Sequence, residues 1–176
     1  MLSFKSLLER IETRRKVQIN TDGAFKIVYD YEKNPDKIVK MFPQHLKVSV
    51  KKEYQGALKY PDLFAKVYKV NFDKNYIIQQ KLDTKKAKDE LSEFGDHYDM
   101  LRSEVLDYFE NVVRDPKETK EVIDEFNKVN PELGKKVKKW LEFTKKVTEL
   151  NIDKLIDYNP GNMGYDDKGN LRLLDI

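Results

Sequence analysis

The sequence predicts an α+β protein in which a β-rich N-terminal part precedes a helical C-terminal part. Before residue 83, apolar and polar residues alternate in several short runs, which is the period of a strand with one buried face. Beyond that position apolar residues recur every three or four residues, as they do along one face of an amphipathic helix. We therefore expect a β-rich lobe at residues 1–82 and a helical lobe at residues 83–176.

The N-terminal lobe is predicted to hold a five-stranded antiparallel sheet with one helix. An amphipathic helix over residues 2–16 comes first, because Leu7, Leu8 and Ile11 fall on one side. Turn sequences and alternation then predict strands at residues 17–19, 25–29, 37–42, 64–71 and 76–82. Between the third and fourth strands, apolar residues at three- and four-residue steps predict a helix over residues 44–59.

The C-terminal lobe is predicted to be built from helices that end in a hairpin. One apolar face runs through residues 91–112 and indicates a long packing helix. Pro116 and Pro131 each open a further helix, because proline is tolerated in the first turn. A catalytic hairpin is expected at residues 155–176.

Composition excludes several classes of protein. The sequence has no cysteine and two histidines, which argues against disulfides and against a zinc site. Its 34 basic and 31 acidic residues leave a charge of +3, so nucleic acid is not an expected partner. The lysine-rich run at residues 135–139 is interpreted as a solvated helix face, with binding of nucleic acid or of an acidic partner as the alternative. No run of apolar residues suits a membrane span or a signal segment, and we expect a cytoplasmic protein.

Three oxygen-bearing side chains near the C-terminus have a spacing that suits phosphate chemistry. Asn162 follows Asp157 by five residues, and Asp175 follows Asn162 by thirteen, after a polar turn and an apolar run. This pattern resembles the D-x-x-x-x-N catalytic loop and later metal-binding Asp of the protein-kinase-like superfamily. The resemblance implies a minimal bilobal kinase-like fold that binds ATP and Mg²⁺. It implies that Asp157 orients the attacking hydroxyl and that Asn162 and Asp175 hold the metal.

The same resemblance assigns residues of the N-terminal lobe. Lys40, at the end of the third strand, resembles the lysine that contacts the inner phosphates, and Glu53 on the next helix is its expected ion-pair partner. Gly23 lies where the family has its glycine-rich loop. The resemblance implies that Gly23, and Val28 on the strand that follows, bind the nucleotide. Gln80 and Leu82 lie where the family offers backbone groups to adenine.

The sequence departs from the protein-kinase pattern at several positions and is more similar there to other branches of the superfamily. Leu155 and Ile156 replace the His-Arg pair before the catalytic Asp, and one glycine of three stands in the phosphate loop. The phrase Pro160-Gly161-Asn162 resembles aminoglycoside kinases, UbiB-type proteins and small kinase-like proteins of bacteriophages. We expect a short helical lobe that ends just after Asp175, without the peptide-docking segment of protein kinases.

The residues of this predicted site also fit roles without catalysis. Residues 157–162 suit an ordinary turn, and their alternating oxygen-bearing side chains partly fit a calcium loop. Lys40 and Glu53 taken alone suit solvent-facing positions, and Gly23 suits a hairpin turn. The sequence by itself leaves these alternatives open.

The function predicted from the sequence is an ATP- and Mg²⁺-dependent kinase-like phosphotransferase. Its expected acceptor is a serine or threonine hydroxyl of a protein, and the phage resemblance implies a host protein in a host cytoplasm. The alternative is a pseudokinase, a regulatory module that binds another protein without catalysis, because two of the three expected glycines are missing.

Overall fold

The computed structural model describes residues 13–17, 27–31, 33–43, 47–152 and 159–174. The fold is a mixed α+β architecture, with a small antiparallel sheet in the first part of the chain and helices in the second. The chain divides between Leu82 and Asp83 into two compact units. Each unit is described below by itself.

The first unit is built on an antiparallel sheet that carries one described helix, α1 (Lys47–Lys59). Its strands are β1 (Thr13–Val17), β2 (Ile27–Tyr31), β3 (Lys37–Met41), β4 (Val67–Asn71) and β5 (Tyr76–Gln80). Their spatial order is β1-β2-β3-β5-β4, and each strand runs antiparallel to its neighbours. Strand β3 is therefore paired on both sides.

The two faces of this sheet bury different residues. One face carries a cluster of apolar side chains: Tyr29, Val39, Met41, Tyr76 and Ile78. On the other face Ile77 packs with Phe42 and with Val50 of α1. Successive side chains of a strand point to opposite faces. Lys40 is the direct cross-strand partner of Ile77 and therefore lies on the α1 face.

Strand β1 corrects the predicted N-terminal helix over residues 2–16. Residues Thr13–Val17 are extended, and Val17 pairs with Val28 of β2. The apolar residues that predicted the helix all precede Thr13, so no apolar side chain favoured helix over strand at its predicted end. Pairing with β2 supplies the backbone hydrogen bonds of this segment instead. Residues 2–12 lie outside the described part of the chain.

The second unit contains four described α-helices. They are α2 (Thr84–Tyr98), α3 (Arg102–Val112), α4 (Pro116–Val129) and α5 (Pro131–Glu149). The side chains of Asp83, Asp115 and Asn130 each accept a hydrogen bond from a backbone N–H in the first turn of a helix. Within the described residues, no helix combines the length and apolar character needed to cross a bilayer.

The apolar face at residues 91–112 belongs to two helices rather than to the single helix that periodicity predicted. Asp99 adopts a left-handed conformation with φ of 54°, and Met100 N donates to the Gly95 carbonyl at 2.9 Å. A side chain at Gly95 would overlap the Met100 carbonyl, so glycine permits this reversal. Leu101 N then donates to Glu104 Oε2 at 2.6 Å, which begins α3. Apolar spacing alone does not reveal such a break.

A buried carboxylate ties the helices of the second unit to its hairpin. The hairpin consists of β6 (Met163–Tyr165) and β7 (Leu171–Leu173). Glu90 Oε2 of α2 accepts from Trp140 Nε1 of α5 at 2.9 Å and from the Tyr165 hydroxyl. Burial, with the hydrogen bond to Glu90, raises the pKa of the Tyr165 hydroxyl. The phenol therefore stays protonated and continues to donate.

The turn of the hairpin is held by a second carboxylate, Asp166. Its side chain accepts from the backbone N–H groups of Lys168 and Asn170 and from Arg172 Nε at 3.0 Å. Burial raises the pKa of Asp166, but the hydrogen bonds from Asn170 and Arg172 outweigh it and hold that pKa below its usual range. Gly169 closes the turn with φ of 75°.

Replacement of Glu90 by alanine should destabilise the protein by roughly 2–4 kcal/mol, because it leaves the Trp140 and Tyr165 donors buried without their acceptor. Urea unfolding followed by tryptophan fluorescence measures the change. The matched control is Glu93→Ala on the same helix, whose exposed side chain pairs with Lys136. This control should cost no more than about 1 kcal/mol. Equal losses in the two variants would contradict the anchoring role of Glu90.

Candidate functional site

Lys40 and Glu53 form a buried ion pair in the first unit. Lys40 Nζ lies 3.2 Å from Glu53 Oε2, and their side chains are 2% and 6% exposed. Lys40 comes from the doubly paired strand β3, and Glu53 comes from the middle of α1. The pairing that the sequence predicted is therefore present, and the solvent-facing alternative for these two residues is wrong.

The ion pair is flanked by apolar side chains on the sheet. Val28 of β2 and Ile77 of β5 are the cross-strand partners of Lys40, and both are buried. Because cross-strand partners share a sheet face, the lysine stem lies between two apolar neighbours. Val28 and Ile77 therefore hold the Lys40 side chain in a fixed orientation. A lysine confined in this way is a preorganised group for binding an anion.

The backbone N–H groups that follow β5 differ in their hydrogen bonds among the described residues. Gln80 N donates to Lys66 O and Lys81 N donates to Asp36 O, each at 2.8 Å. The backbone N–H of Leu82 makes no backbone hydrogen bond among the residues that the structure describes. Leu82 is thus the position at which this segment can donate a backbone hydrogen bond to a ligand. Gln80 directs its side chain to the sheet face opposite Lys40, so only its backbone could serve the predicted site.

Asn162 lies in the second unit, where a short 3₁₀ turn (Pro160–Asn162) leads into β6. Asn162 is 5% exposed. The Asn159 side chain accepts from Gly161 N at 2.7 Å and fixes the start of the turn. The Asn162 carbonyl accepts from Leu174 N at 2.8 Å, so the hairpin brings Asn162 beside the residue that precedes Asp175 in the chain.

Three of the predicted site residues, Gly23, Asp157 and Asp175, lie outside the described residues. Residues 13–17, 27–31, 33–43, 47–152 and 159–174 contain no group of three or more acidic, histidine or cysteine side chains suited to a metal ion. Of the two predicted metal-binding residues, Asn162 is described, and its side-chain carbonyl is an oxygen ligand of the kind that Mg²⁺ prefers.

A groove of about 320 Å³ opens in the second unit. It is lined by Asp83, Lys85, Lys86, Asp89, Glu90, Glu93 and Lys136. Lys85 pairs with Asp89 at 2.6 Å and Lys136 with Glu93 at 2.7 Å, so most of its charges compensate one another. This balance favours neither an anionic nor a cationic ligand.

Comparison with known proteins finds similarity among solved structures but not among protein families or curated proteins. No protein-family model matches the sequence, and no curated protein matches it. Among solved structures, the choline kinase LicA from Streptococcus pneumoniae shares 15% sequence identity, with a TM-score of 0.39 over 97% of this chain and 66% of that chain. The chain thus spans just under two thirds of that protein. A similarity of this size assigns neither a family nor an activity, and the proposals below rest on the residues of this chain.

Sequence reasoning gave no side-chain role to two buried polar residues. Gln79 opens the segment of residues 79–82 that the sequence predicted to offer backbone groups to adenine, and Glu90 anchors the helices of the second unit. Strand alternation could have placed Gln79 on the Lys40 face, since it stands two residues after Ile77. No local signal marks Glu90, because its partners lie 50 and 75 residues further along the chain.

Loss of Lys40 alone should destabilise the protein by about 3–5 kcal/mol, because Lys40→Met leaves the Glu53 carboxylate buried without its cation. The double variant Lys40→Met/Glu53→Met should recover most of that loss, since two apolar side chains of similar size replace the pair. Urea unfolding of the parent, both single variants and the double variant measures this coupling.

The matched control for this cycle is Lys69→Met on β4, an exposed strand lysine, with an expected change within about 0.5 kcal/mol. Additive losses in the cycle would show that Lys40 and Glu53 do not depend on each other for stability.

Proposed function

We propose that the protein is a kinase-like phosphotransferase that uses ATP and Mg²⁺ and transfers the terminal phosphoryl group to a hydroxyl. The observation that carries this proposal is the buried ion pair of Lys40 and Glu53. A buried ion pair contributes little net stability, because desolvation offsets its attraction. A lysine that is held in place among apolar side chains can bind a phosphate chain, which supplies further negative charge.

Residues of the first unit would bind the nucleotide. Lys40 contacts the α- and β-phosphates, and Glu53 keeps its side chain extended towards them. Val28 packs against the base, while the Gln80 carbonyl and the Leu82 N–H meet its polar edge. The backbone N–H of Leu82 supports this arrangement, because it makes no backbone hydrogen bond within the described part of the chain. Backbone amides around Gly23 approach the phosphates, where no Cβ intervenes.

Residues near the hairpin would carry out the transfer. Asn162 and Asp175 hold Mg²⁺, which when bound neutralises charge on the phosphate oxygens. Asp157 orients the acceptor hydroxyl. The acceptor oxygen bonds to the terminal phosphorus as the bond from that phosphorus to the β-phosphate oxygen breaks, and the hydroxyl proton passes to Asp157. Positioning and charge supply most of the rate, since the protein forms no covalent intermediate.

The acceptor in this proposal is a serine or threonine hydroxyl of a protein. The resemblance of the Pro160-Gly161-Asn162 phrase to phage-encoded kinase-like proteins supports a host protein as substrate. The second candidate is a pseudokinase that binds another protein. A single specific observation favours it: only Gly23 stands where three glycines are expected.

The melting temperature should rise in the presence of Mg²⁺ and ATP, because a ligand that binds only the folded state stabilises it. At about 100 times its Kd the nucleotide adds roughly 2.7 kcal/mol. Lys40→Met should abolish most of the rise, and the exposed Lys69→Met should preserve it. No rise for the parent at millimolar Mg²⁺ and ATP favours the pseudokinase instead.

Catalysis is separated from binding by following the γ-phosphate of radiolabelled ATP into protein acceptors. The parent should transfer label, whereas Asp157→Ala should bind nucleotide with little change and transfer at least about 100-fold more slowly. Transfer at the parent's rate by Asp157→Ala removes this residue from the proposed role.

A further inference from the structure

The charge of the chain is divided unevenly between its two units. Residues 1–82 contain 17 basic and 9 acidic residues, which leaves +8. Residues 83–176 contain 17 basic and 22 acidic residues, which leaves −5. The net charge of +3 therefore conceals a basic first unit. A charge asymmetry of this size is typical of a chain whose basic part meets an anionic partner.

The exposed side of α1 carries part of this positive charge without any acidic residue. Glu53 is the one acidic residue of α1, and it is buried against Lys40 on the opposite side of the helix. Helical spacing brings six exposed residues together on one side, which we call the α1 face. They are Val48, Lys51, Lys52, Gln55, Leu58 and Lys59.

Helix stability does not explain two of the three lysines of the α1 face. Lys59 lies in the last turn, where a cation is favourable. Lys51 and Lys52, in contrast, have no acidic residue three or four positions away on the helix. Neither of them forms an ion pair within the described part of the chain. Their charges are therefore left for a group outside the fold.

Two helices of the second unit show the other arrangement. On α2, Lys85 pairs with Asp89 at 2.6 Å, and on α4, Lys117 pairs with Glu121 at 3.6 Å. Each pair is four residues apart, which is the spacing that stabilises an exposed helix. Lysines that serve a helix in this way have acidic neighbours, and Lys51 and Lys52 of the α1 face have none.

Large apolar side chains lie among and beside these lysines. Val48 and Leu58 are 65% and 63% exposed. Phe72, which is 45% exposed, packs its ring 5.9 Å from that of Tyr54 on α1. Exposed apolar groups favour a protein partner over nucleic acid, which is bound mainly through its phosphates. A bilayer is disfavoured, because the apolar side of α1, with Val50, already packs on the sheet.

We propose that the α1 face binds an acidic segment of another protein, whose carboxylates pair with Lys51 and Lys52 and whose apolar side chains pack on Leu58. Complementary charge selects such a segment and speeds its encounter, while the apolar contacts slow its dissociation. This interaction requires neither nucleotide binding nor phosphoryl transfer. It therefore goes beyond the proposed function, and either can fail without the other.

The test follows a fluorescently labelled peptide, in which Leu and Phe are interspersed among Glu residues, by fluorescence anisotropy at about 0.15 M salt. The parent should bind it more tightly than a peptide with Ser in place of Leu and Phe. Lys51→Glu/Lys52→Glu should weaken binding at least about tenfold, because repulsion replaces attraction. Leu58→Ser should weaken it about fivefold and leave binding of the Ser peptide nearly unchanged.

The matched control is Lys66→Glu/Lys69→Glu, which changes the net charge by the same amount. Both of these lysines are exposed, and Lys69 pairs with Ile78 on the sheet face that does not carry α1. The control should bind the peptide nearly as the parent does. Lys51→Glu/Lys52→Glu should melt no lower than the parent, because both positions are exposed and glutamate suits a helix.

Three outcomes would overturn the inference. Equal weakening by the two double variants would show that only net charge matters, and no binding of the peptide by the parent would remove the proposed partner. Tighter binding of a single-stranded oligonucleotide, or of phosphatidylcholine vesicles that contain phosphatidylserine, would identify nucleic acid or a membrane instead.

Discussion

The buried ion pair between Lys40 and Glu53 is the interaction on which the functional account depends. Neither charge is stable alone in a site that is almost fully shielded from water. Together they fix a cation between Val28 and Ile77 and tie α1 to the centre of the sheet. Because an apolar pair would hold these elements together equally well, the charges are better explained by a ligand than by stability.

The second unit also contains buried carboxylates, but these stabilise the fold. Glu90 joins α2, α5 and the hairpin through two hydrogen bonds, and Asp166 holds the hairpin turn. Both are satisfied within the fold, so both are explained by structure. The hairpin is fixed at its two ends: Asp166 orders the turn, and the bond from Leu174 N to the Asn162 carbonyl closes the open end. Asn162 is thus presented by a rigid element.

The sequence predicts those features that depend on local periodicity. Alternation around Lys40 predicts a strand lysine, and the three- and four-residue spacing before Tyr60 predicts the helix that carries Glu53. Proline at the first turn predicts the starts of α4 and α5. Features that depend on tertiary pairing escape this reasoning. Strand β1 forms because its backbone pairs with that of β2. The break between α2 and α3 occurs because Asp99 adopts a left-handed conformation and because Gly95, without a side chain, leaves room for the Met100 carbonyl.

The most direct test of the account asks whether the Lys40–Glu53 pair serves a ligand rather than the fold. Isothermal titration calorimetry of Mg²⁺ and ATP into the parent and into the folded Lys40→Met/Glu53→Met variant answers this. The account predicts binding by the parent and a loss of at least about tenfold in the double variant, since the cation for the phosphates is gone. Equal affinity in the two proteins would contradict it.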